Sequence, residues 1–312
     1  MKKGHTSIMI KKPMKGDALE DLSLVRFPVL ASPKIDGFRC VLGAQAYTSR
    51  LSSFPNKSVH EALSGLMTDD APLDGEIVVG KRRGPGVLQR TSSGVTSRAG
   101  DPDWRLWIFD APREGVGKLN RLKLAAKAVK SLGNKRIRFI KHEVIHSLSE
   151  LEEYIEACLK AGFEGIMISD PDGPYKEGRS TIREGWLLKI KPFEDAEGRV
   201  IGWFEEQENT NEAKREATGK LKRSSAKAGK IAKGQLGGFI LEDCKTRIEV
   251  RVGGGFTHHQ RKNIWQDIQS GAVDYKGTLV RYKKQSVGEK DKPRHPNFLE
   301  FVDLRPEWDF TD

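Results

Sequence analysis

Lys34-Ile35-Asp36-Gly37-Phe38-Arg39 is the stretch around which the rest of the chain is organised. Apolar residues on either side, at 29–31 and 38–42, predict two short strands joined by a tight turn at the Asp-Gly pair. A lysine at such a turn is held rigidly and partly shielded from water, so its amine can attack an electrophile. The spacing K-x-D-G-x-R arises by chance in roughly one chain of this length in 200. A surface hairpin with an ordinary lysine stays open as the alternative at this point.

The first two-thirds of the chain alternates short apolar runs with helical periodicity, which indicates mixed strands and helices. Apolar residues recur at helical spacing up to residue 132, and Gly133 stands where a helix commonly ends. Ser149 and Glu152 have the spacing of a capping box, so we expect a helix from Ser149 to Gly162. Further strands are predicted at residues 77–79, 106–109, 165–168 and 186–190.

The pattern changes near Lys191-Pro192, where helical periodicity largely stops. Strand signals follow at residues 200–204, 238–241, 246–252, 278–282 and 298–304, with one helix at 258–268. Several short strands in a segment of this length predict a small β-barrel. We therefore expect one domain at residues 1–192 and a second at residues 196–312.

Residues 205–235 stand apart by composition. Between residues 214 and 233 the chain has eight Lys and Arg against one acid, with almost no large apolar side chain. Such a composition predicts a mobile, solvated loop as the state of the free protein. The functional interpretation is a basic arm that becomes ordered on phosphates, and both can hold. The candidate nucleic-acid contacts in this arm are Lys214, Lys220, Lys222, Arg223, Lys227, Lys230 and Lys233.

Charge and cysteine content narrow the class of partner and the compartment. Lys and Arg number 54 against 43 Asp and Glu, and the formal net charge of +11 favours a polyanionic partner such as nucleic acid. Three scattered cysteines argue against a disulfide framework or a zinc site and favour a reducing compartment. No apolar run has the length of a membrane helix. We expect a monomeric, cytoplasmic protein without a membrane partner.

Four further stretches follow the lysine motif in a fixed order. They are Leu73-Asp74-Gly75-Glu76, Trp107-Ile108-Phe109-Asp110, Phe163-Glu164-Gly165-Ile166-Met167 and Leu187-Leu188-Lys189-Ile190-Lys191. Together with residues 34–39 they resemble the nucleotidyl-transfer motifs of ATP-dependent DNA ligases, RNA ligases and mRNA capping enzymes. Pro293-Arg294-His295-Pro296-Asn297-Phe298 resembles the closing motif of the short two-domain bacteriophage DNA ligases. By resemblance, the chain is identified as a member of this covalent nucleotidyltransferase superfamily.

This resemblance implies both a fold and an activity. The fold would be α+β, with an ATP-grasp-like nucleotidyltransferase domain followed by an all-β OB-fold domain. The activity would be ATP-dependent sealing of 5′-phosphate/3′-hydroxyl nicks in duplex DNA, in repair, replication or recombination. An RNA ligase or a capping-type nucleotidyltransferase is the first alternative, and a non-catalytic nucleic-acid-binding protein is a remote one.

The resemblance also implies roles in nucleotide transfer. Lys34 would carry AMP through a phosphoramide bond. Lys189 and Lys191 would meet the negative charge that develops on the phosphates. Phe109 would stack on adenine. Ser32 stands two residues before the lysine, where many ligases carry a polar side chain that contacts the adenine amino group, and backbone groups could supply that contact here.

Carboxylates in the motifs are the implied metal ligands. Glu164 and Glu76 offer the hard oxygen atoms that Mg²⁺ or Mn²⁺ requires. Glu76 has a second implied role, which is to hold the ribose. Asp36 would assist the later steps by positioning a metal ion or the 3′-hydroxyl.

Arginines are the implied partners of phosphate groups, because a guanidinium binds phosphate through two parallel hydrogen bonds. Arg39 and Arg50 are candidates for the phosphates of the nucleotide and for the 5′-phosphate of a nick. For Arg50, a solvated surface arginine is nearly as good an interpretation. Arg294 is a candidate partner for pyrophosphate or for the α-phosphate.

Overall fold

The computed structural model describes residues 10, 12–43, 45–66, 72–191, 193–215, 221–224, 226–289 and 292–302. The chain splits into two compact units, the first with Met1–Lys191 and Arg215–Lys220 and the second with Pro192–Lys214 and Leu221–Asp312. Cys40, Cys158 and Cys244 are free thiols. Within the described ranges, the helices are too short or too polar to cross a membrane.

The first unit interleaves short strands with helices. Its strands are β1 (Lys15–Ala18), β2 (Val29–Pro33), β3 (Phe38–Leu42), β4 (Ala46–Thr48), β5 (Leu73–Val79), β6 (Trp104–Asp110), β7 (Ile137–Phe139), β8 (Glu143–Ile145), β9 (Ile166–Ser169), β10 (Arg179–Ser180) and β11 (Leu188–Ile190). Its helices are α1 (Lys57–Ser64), α2 (Val87–Thr96), α3 (Lys118–Leu132) and α4 (Leu148–Lys160). Gly133 ends α3 in the left-handed conformation, as its position in the sequence predicts.

Sheet order in the first unit brings the motif strands together. One sheet has the order β10-β1-β11-β9-β2-β8, and another has the order β4-β3-β5-β6-β7. Ala31, Ile168 and Leu151 belong to the apolar core beside the first sheet, whereas Leu63 and Ile108 belong to the core beside the second. Because β2, β9 and β11 are neighbours, the three chain segments that carry the lysine motif and the last two motifs lie side by side.

The second unit is mainly β-structure. Its strands are β12 (Phe193–Asn209), β13 (Ala213–Arg215), β14 (Leu221–Arg223), β15 (Lys230–Asp243), β16 (Glu249–Val252), β17 (Leu279–Glu289) and β18 (Lys292–Phe301), and its helix is α5 (His258–Ser270). The main sheet has the order β16-β15-β12-β17-β18, and a bridge from Gly254 to Asn297 links the segment after β16 to β18. The sheet thus closes around buried aromatic residues that include Phe239, Tyr275 and Tyr282.

The start of α4 differs from the prediction. The helix begins at Leu148 and its cap is Ser147, whose hydroxyl accepts the Glu150 N–H at 3.2 Å. The Glu150 carboxylate accepts the His146 N–H at 2.9 Å in return. Two serines lie in the same local pattern, and the one nearer the preceding strand makes the cap, so the prediction that the helix begins at Ser149 is wrong.

The basic segment at 205–235 also differs from the predicted loop. β12 continues to Asn209 and β15 begins at Lys230, and these two residues pair across the ladder. β13 and β14 form a small sheet between them. A cross-strand ion pair of 2.5 Å joins Glu206 to Lys233. Backbone pairing needs no large apolar side chains, so composition alone did not reveal these strands.

Candidate active site

A cavity in the first unit collects most of the side chains that the motifs single out. Its volume is about 240 Å³, and it opens to solvent. The end of β2 and strands β3, β5, β6 and β11 supply its polar and aromatic walls. The sequence-predicted residues on its lining are Ser32, Lys34, Arg39, Glu76, Phe109 and Lys189.

Lys34 and Glu164 are held close together by strand pairing. Pro33 at the end of β2 pairs with Ile166 at the start of β9. Beyond that pair, the Lys34 N–H donates to Gly165 O at 2.9 Å and the Glu164 N–H donates to Lys34 O at 3.3 Å. The side chains then meet, with Lys34 Nζ donating to Glu164 Oε2 at 2.5 Å.

Gly165 allows this arrangement because it has no side chain. Its φ of +149° lies in a region that other residues rarely adopt. A Cβ at this position would stand 2.3 Å from the carbonyl oxygen of Ile190 on β11. A glycine is therefore required for β11 to approach the segment that carries Glu164.

Lys191 binds the other oxygen of the Glu164 carboxylate. Its Nζ donates to Glu164 Oε1, so one carboxylate stands between two ammonium groups. Burial opposes ionisation of Glu164, but the charges of Lys34 and Lys191 outweigh burial and lower the pKa of this carboxyl. The ionised carboxylate fixes both ammonium groups. We call Lys34, Glu164 and Lys191 the cavity cluster.

Lys189 adds positive charge to the same wall. It lies on β11 opposite Met167 of β9, and both side chains line the cavity. Burial, and then the charges of Lys191, Arg179 and Lys34, lower the pKa of Lys189. A wall of this charge suits a phosphate group. Arg179 also lines the cavity and was missed at the level of sequence, because it belongs to none of the five motifs.

Arg39 lines the cavity but is already engaged within the protein. Its guanidinium donates to both carboxylate oxygens of Asp74 and, at 2.9 Å, to Met14 O. It also stacks over the Phe109 ring at 4.7 Å. The Asp74 carboxylate accepts a further hydrogen bond from Tyr175 Oη at 2.6 Å. These contacts position Phe109, which is a role that the phosphate-binding prediction for Arg39 did not include.

Glu76 projects into the cavity from β5 and carries a raised pKa of about 7. Burial raises the pKa, and the charges of Asp74 and Glu164 add to burial, against the opposing charges of Lys34 and Arg39. A divalent cation would relieve this excess of negative charge around Glu76.

A magnesium ion fits this donor set if substrate supplies the remaining ligands. Among the described residues, no group of three or more histidine, cysteine or carboxylate side chains is placed to hold a metal ion. Mg²⁺ is commonly held by one or two carboxylates together with substrate phosphates and water. Glu76 would supply one carboxylate, and Glu164 would have to share its oxygens with the two lysines.

A second carboxylate between two cations lies next to Phe109 and was not predicted. Lys118 Nζ donates to Asp110 Oδ2 at 2.9 Å and to Phe109 O at 2.8 Å. Arg121 Nε donates to Asp110 Oδ1 at 2.8 Å. Burial opposes ionisation of Asp110, but the charges of Lys118 and Arg121 outweigh it and lower the pKa of this carboxyl. We call Asp110, Lys118 and Arg121 the buried cluster.

Outside the basic arm, five predicted site residues are not among those that line the cavity. Two of them, Glu164 and Lys191, are bound to each other beside Lys34. Asp36 lies in the turn between β2 and β3, and Arg50 is exposed in the turn after β4. Arg294 lies on β18 opposite Gln285 in the second unit, and its side chain is outside the described part of the structure. These roles stay predictions.

The predicted basic contacts in the second unit form an exposed surface around β13 and β14. We call this surface the basic hairpin. Its described members are Lys214, Lys222, Arg223, Lys227, Lys230 and Lys233. Lys220 lies outside the described residues. Leu221 and Ile231 are exposed beside them, at 61% and 57%.

Two known families match the chain, one in each unit. The family described as ATP dependent DNA ligase domain matches residues 9–191, and the family described as DNA ligase OB-like domain matches residues 228–301. The chain belongs to the ATP-dependent DNA ligase family. The α+β prediction, with a nucleotidyltransferase domain followed by an OB-fold, is thereby confirmed, and the RNA ligase and capping alternatives are not favoured.

Solved structures agree with this assignment. A Chlorella virus DNA ligase-adenylate is 27% identical with a TM-score of 0.54, over 94% of this chain and 100% of that chain. A second structure of Chlorella virus DNA ligase-adenylate is 28% identical with a TM-score of 0.53, over 95% and 100%. A structure of the Lig E DNA ligases, at 23% identity and a TM-score of 0.71 over 94% and 100%, is similar in fold. Among curated proteins, none matches the sequence significantly.

Proposed function

We propose that this ATP-dependent DNA ligase seals nicks in duplex DNA through AMP carried on Lys34. The observation that carries the proposal is the position of Lys34, which lines the cavity together with Phe109 and Lys189 and whose ammonium is bound to Glu164. The two Chlorella virus structures are described as ligase-adenylates. The same covalent chemistry at Lys34 accounts for the cations gathered around it.

In the first step the neutral amine of Lys34 attacks the α-phosphorus of ATP. A nitrogen–phosphorus bond forms, and the bond to the pyrophosphate oxygen breaks. The proton leaves to solvent, because 21% of the Lys34 side chain is exposed and the pKa of Glu164 is lowered, so this carboxylate stays ionised. Lys189 and Lys191 stabilise the charge on the phosphates.

Mg²⁺ or Mn²⁺ would be held by Glu76 and Glu164, and when bound it would supply further positive charge to the phosphates. Phe109 is proposed to stack on the adenine ring. Its backbone carbonyl is bound to Lys118 and its ring lies under Arg39, so the ring is held ready for the base.

The second and third steps transfer AMP to DNA and then release it. The 5′-phosphate of a nick attacks the phosphorus on Lys34 and gives an adenylylated DNA end. The 3′-hydroxyl then attacks that end, a phosphodiester bond forms, and AMP leaves. We assign Arg50 to the 5′-phosphate, Asp36 to the 3′-hydroxyl, and Arg294 to the departing pyrophosphate of the first step. Arg39 is assigned to the 5′-phosphate as well, through the Nη1 group that its bonds to Asp74 and Met14 O leave unused.

The basic hairpin is proposed to bind the duplex backbone. Its exposed lysines and arginine would release counterions from phosphates, so binding would weaken steeply with salt. Replacing Lys222, Arg223, Lys227 and Lys230 with glutamine should weaken binding to a nick and flatten its salt dependence. Self-adenylylation should not change, because these residues do not line the cavity. An equal loss of self-adenylylation would show that the hairpin serves the fold instead.

Roles in repair, replication or recombination and action as a monomer are part of the same proposal. So is a reducing compartment such as bacterial or phage-infected cytoplasm. The exposed free thiol of Cys244 supports such a compartment. Sedimentation of the protein alone and with nicked DNA would test the monomer.

The mechanism is tested by incubating the protein with Mg²⁺ and ATP labelled at the α-phosphate, followed by denaturing electrophoresis. We expect label on the chain that is lost in Lys34→Ala and kept in Lys160→Ala, which removes an exposed lysine of α4. Label that persists in Lys34→Ala would exclude Lys34 as the nucleophile. Comparing nicked DNA with nicked RNA as substrate for the labelled protein would test the choice of DNA.

A further inference from the structure

We propose that His142 selects adenine in the cavity by accepting a hydrogen bond from the exocyclic amino group of the base at Nε2. This inference rests on the proposed nucleotide site and concerns the choice of base within it. His142 belongs to none of the five motifs, and it lines the same cavity as Lys34 and Phe109.

The position of His142 follows from the pairing of β8 with β2. The register pairs Leu30 with Val144 and Ala31 with Glu143. One step further along the same antiparallel register stand Ser32 and His142, and both line the cavity. Ser32 is short and only 3% exposed, so the longer side chain of His142 is the one that can reach into the cavity from this pair of strands.

The hydrogen bonding of the ring fixes which nitrogen can accept. His142 Nδ1 lies 3.0 Å from the backbone carbonyl oxygen of Ile140. A carbonyl oxygen can only accept, so Nδ1 carries the hydrogen. In the neutral ring Nε2 is then an acceptor, and it lies on the ring edge directed away from that carbonyl.

The surroundings keep the ring neutral. Burial lowers the pKa of His142 to about 3, and the positive charge of Lys118 contributes in the same direction. The Lys118 ammonium is itself fixed by Asp110 and by Phe109 O, so this charge stays in place beside the cavity. A second proton on the ring, which would turn Nε2 into a donor, is therefore disfavoured throughout the pH range in which the enzyme is assayed.

An acceptor at this position distinguishes the two purines. Adenine presents an amino donor at C6, whereas guanine presents a carbonyl oxygen there. Guanine would therefore bring two acceptors together and leave both unpaired in a shielded site. A site built to hydrogen-bond one group rejects analogues that lack it more strongly than an apolar pocket does.

The test measures equilibrium binding of nucleotides in the Lys34→Ala background, where no covalent step can occur. The probes are ATP, GTP and purine riboside triphosphate, which lacks the amino group but keeps the ring. We expect ATP to bind about tenfold more tightly than purine riboside triphosphate, which corresponds to one neutral hydrogen bond. GTP should bind more weakly than ATP by at least the same factor.

His142→Phe keeps a flat ring and removes the acceptor. In this variant ATP should lose about tenfold in affinity, purine riboside triphosphate should change by less than about twofold, and the preference should disappear. The matched control is His146→Phe, an exposed histidine just beyond the same strand, which should leave the ratio unchanged.

Two results would overturn the proposal. The first is equal affinity for ATP and purine riboside triphosphate in the protein that keeps His142. This comparison needs no variant at His142, so the test does not depend on the folding of His142→Phe. Equal losses for ATP and purine riboside triphosphate in His142→Phe would indicate a purely structural histidine. Labelling of Lys34 is measured separately, so the nucleophile and the base selector can fail independently.

Discussion

The cavity cluster and the buried cluster have the same arrangement of charges and different surroundings. Each has one carboxylate held between two cations, Glu164 in one and Asp110 in the other. The Lys34 and Lys191 side chains are each 21% exposed, whereas those of Lys118 and Arg121 are 5% and 1% exposed.

The cations of the buried cluster are also bound by backbone carbonyls. Lys118 donates to Phe109 O, and Arg121 donates to Gly173 O at 2.9 Å and to Val116 O. Their donors are used within the fold, so the cluster fixes α3 to β6. Asp110 and Lys118 line the cavity as well, but the Lys118 ammonium is bound to Asp110 and Phe109 O. In the cavity cluster Lys34 lines the cavity and Lys191 is equally exposed, so a ligand phosphate can replace solvent beside them. Exposure and the remaining partners, not the residue types, separate the structural cluster from the reactive one.

The two clusters should differ most, in self-adenylylation and in stability, when one lysine is removed from each. Lys34→Ala should lose self-adenylylation by at least about 10³-fold, because no other amine occupies its position. Its unfolding by urea should stay close to that of the wild type, since Lys34 lies at the cavity surface. Lys118→Met should lower stability more, and labelling in its folded fraction should fall far less than in Lys34→Ala, because Lys118 lines the cavity but its ammonium is bound to Asp110 and Phe109 O. Loss of stability in Lys34→Ala would remove the distinction between the clusters.

Asp110→Asn should be the most destabilising exchange of an acid for its amide. It leaves two buried cations without an anion, which costs roughly 3–5 kcal/mol in the free energy of unfolding. Urea unfolding would measure the loss, and hydrogen exchange at α3 and β6 would locate it in the first unit. Glu156→Gln, which breaks the exposed pair with Lys160 on α4, is the control and should cause no measurable change. Similar effects for the two variants would contradict the proposed role of burial.

Glu164→Gln makes the same exchange in the cavity cluster. Two ammonium groups would lose the anion that positions them, and labelling of Lys34 should fall about a hundredfold, as expected when a reacting group is displaced by about an ångström. The effect on urea unfolding should be smaller than that of Asp110→Asn, because water can reach the lysines. A rate of labelling equal to that of the wild type would show that Glu164 does not position Lys34.

Substitution of Glu76 should have the smallest effect on the free energy of unfolding, and that effect depends on pH. Its pKa is about 7 in the folded protein against an ordinary value of 4.5. Below pH 4.5 the group is protonated in both states and carries no penalty. Between these values the folded protein binds more protons, so stability falls as the pH rises, and above pH 7 the penalty is complete at roughly 1–3 kcal/mol. In the absence of metal and nucleotide, the free energy of unfolding of Glu76→Gln should lack this fall with pH. Parallel curves of unfolding free energy against pH for Glu76→Gln and the wild type would contradict the prediction.

The motifs predicted the reactive side of the first unit better than its supporting side. Lys34, Phe109 and Lys189 could be found because their spacing in the sequence is tied to consecutive strands. Lys118 and Arg121 are two cations on an ordinary amphipathic helix, and their burial depends on tertiary packing that local sequence does not encode. His142 was missed for a related reason, since it meets Ser32 only through strands far apart in the chain.

In the second unit, strand positions were predicted more reliably than strand lengths. Apolar alternation located the parts of β12 and β15 that face the barrel core. It could not locate their continuation to Asn209 and from Lys230, because backbone hydrogen bonds and the Glu206–Lys233 ion pair hold those ends. Polar strands that project beyond a core give little hydrophobic signal.

The close approach of Gly165 to Ile190 has a consequence for how the enzyme can be inactivated. A single methyl group at residue 165 would act as a wedge between two strands and separate Glu164 from Lys191. Every reacting side chain would still be present, so a list of the reacting residues alone would not reveal the defect. Catalytic activity therefore depends on the spacing between these two strands. An enzyme inactivated in this way would be recognised only from its structure.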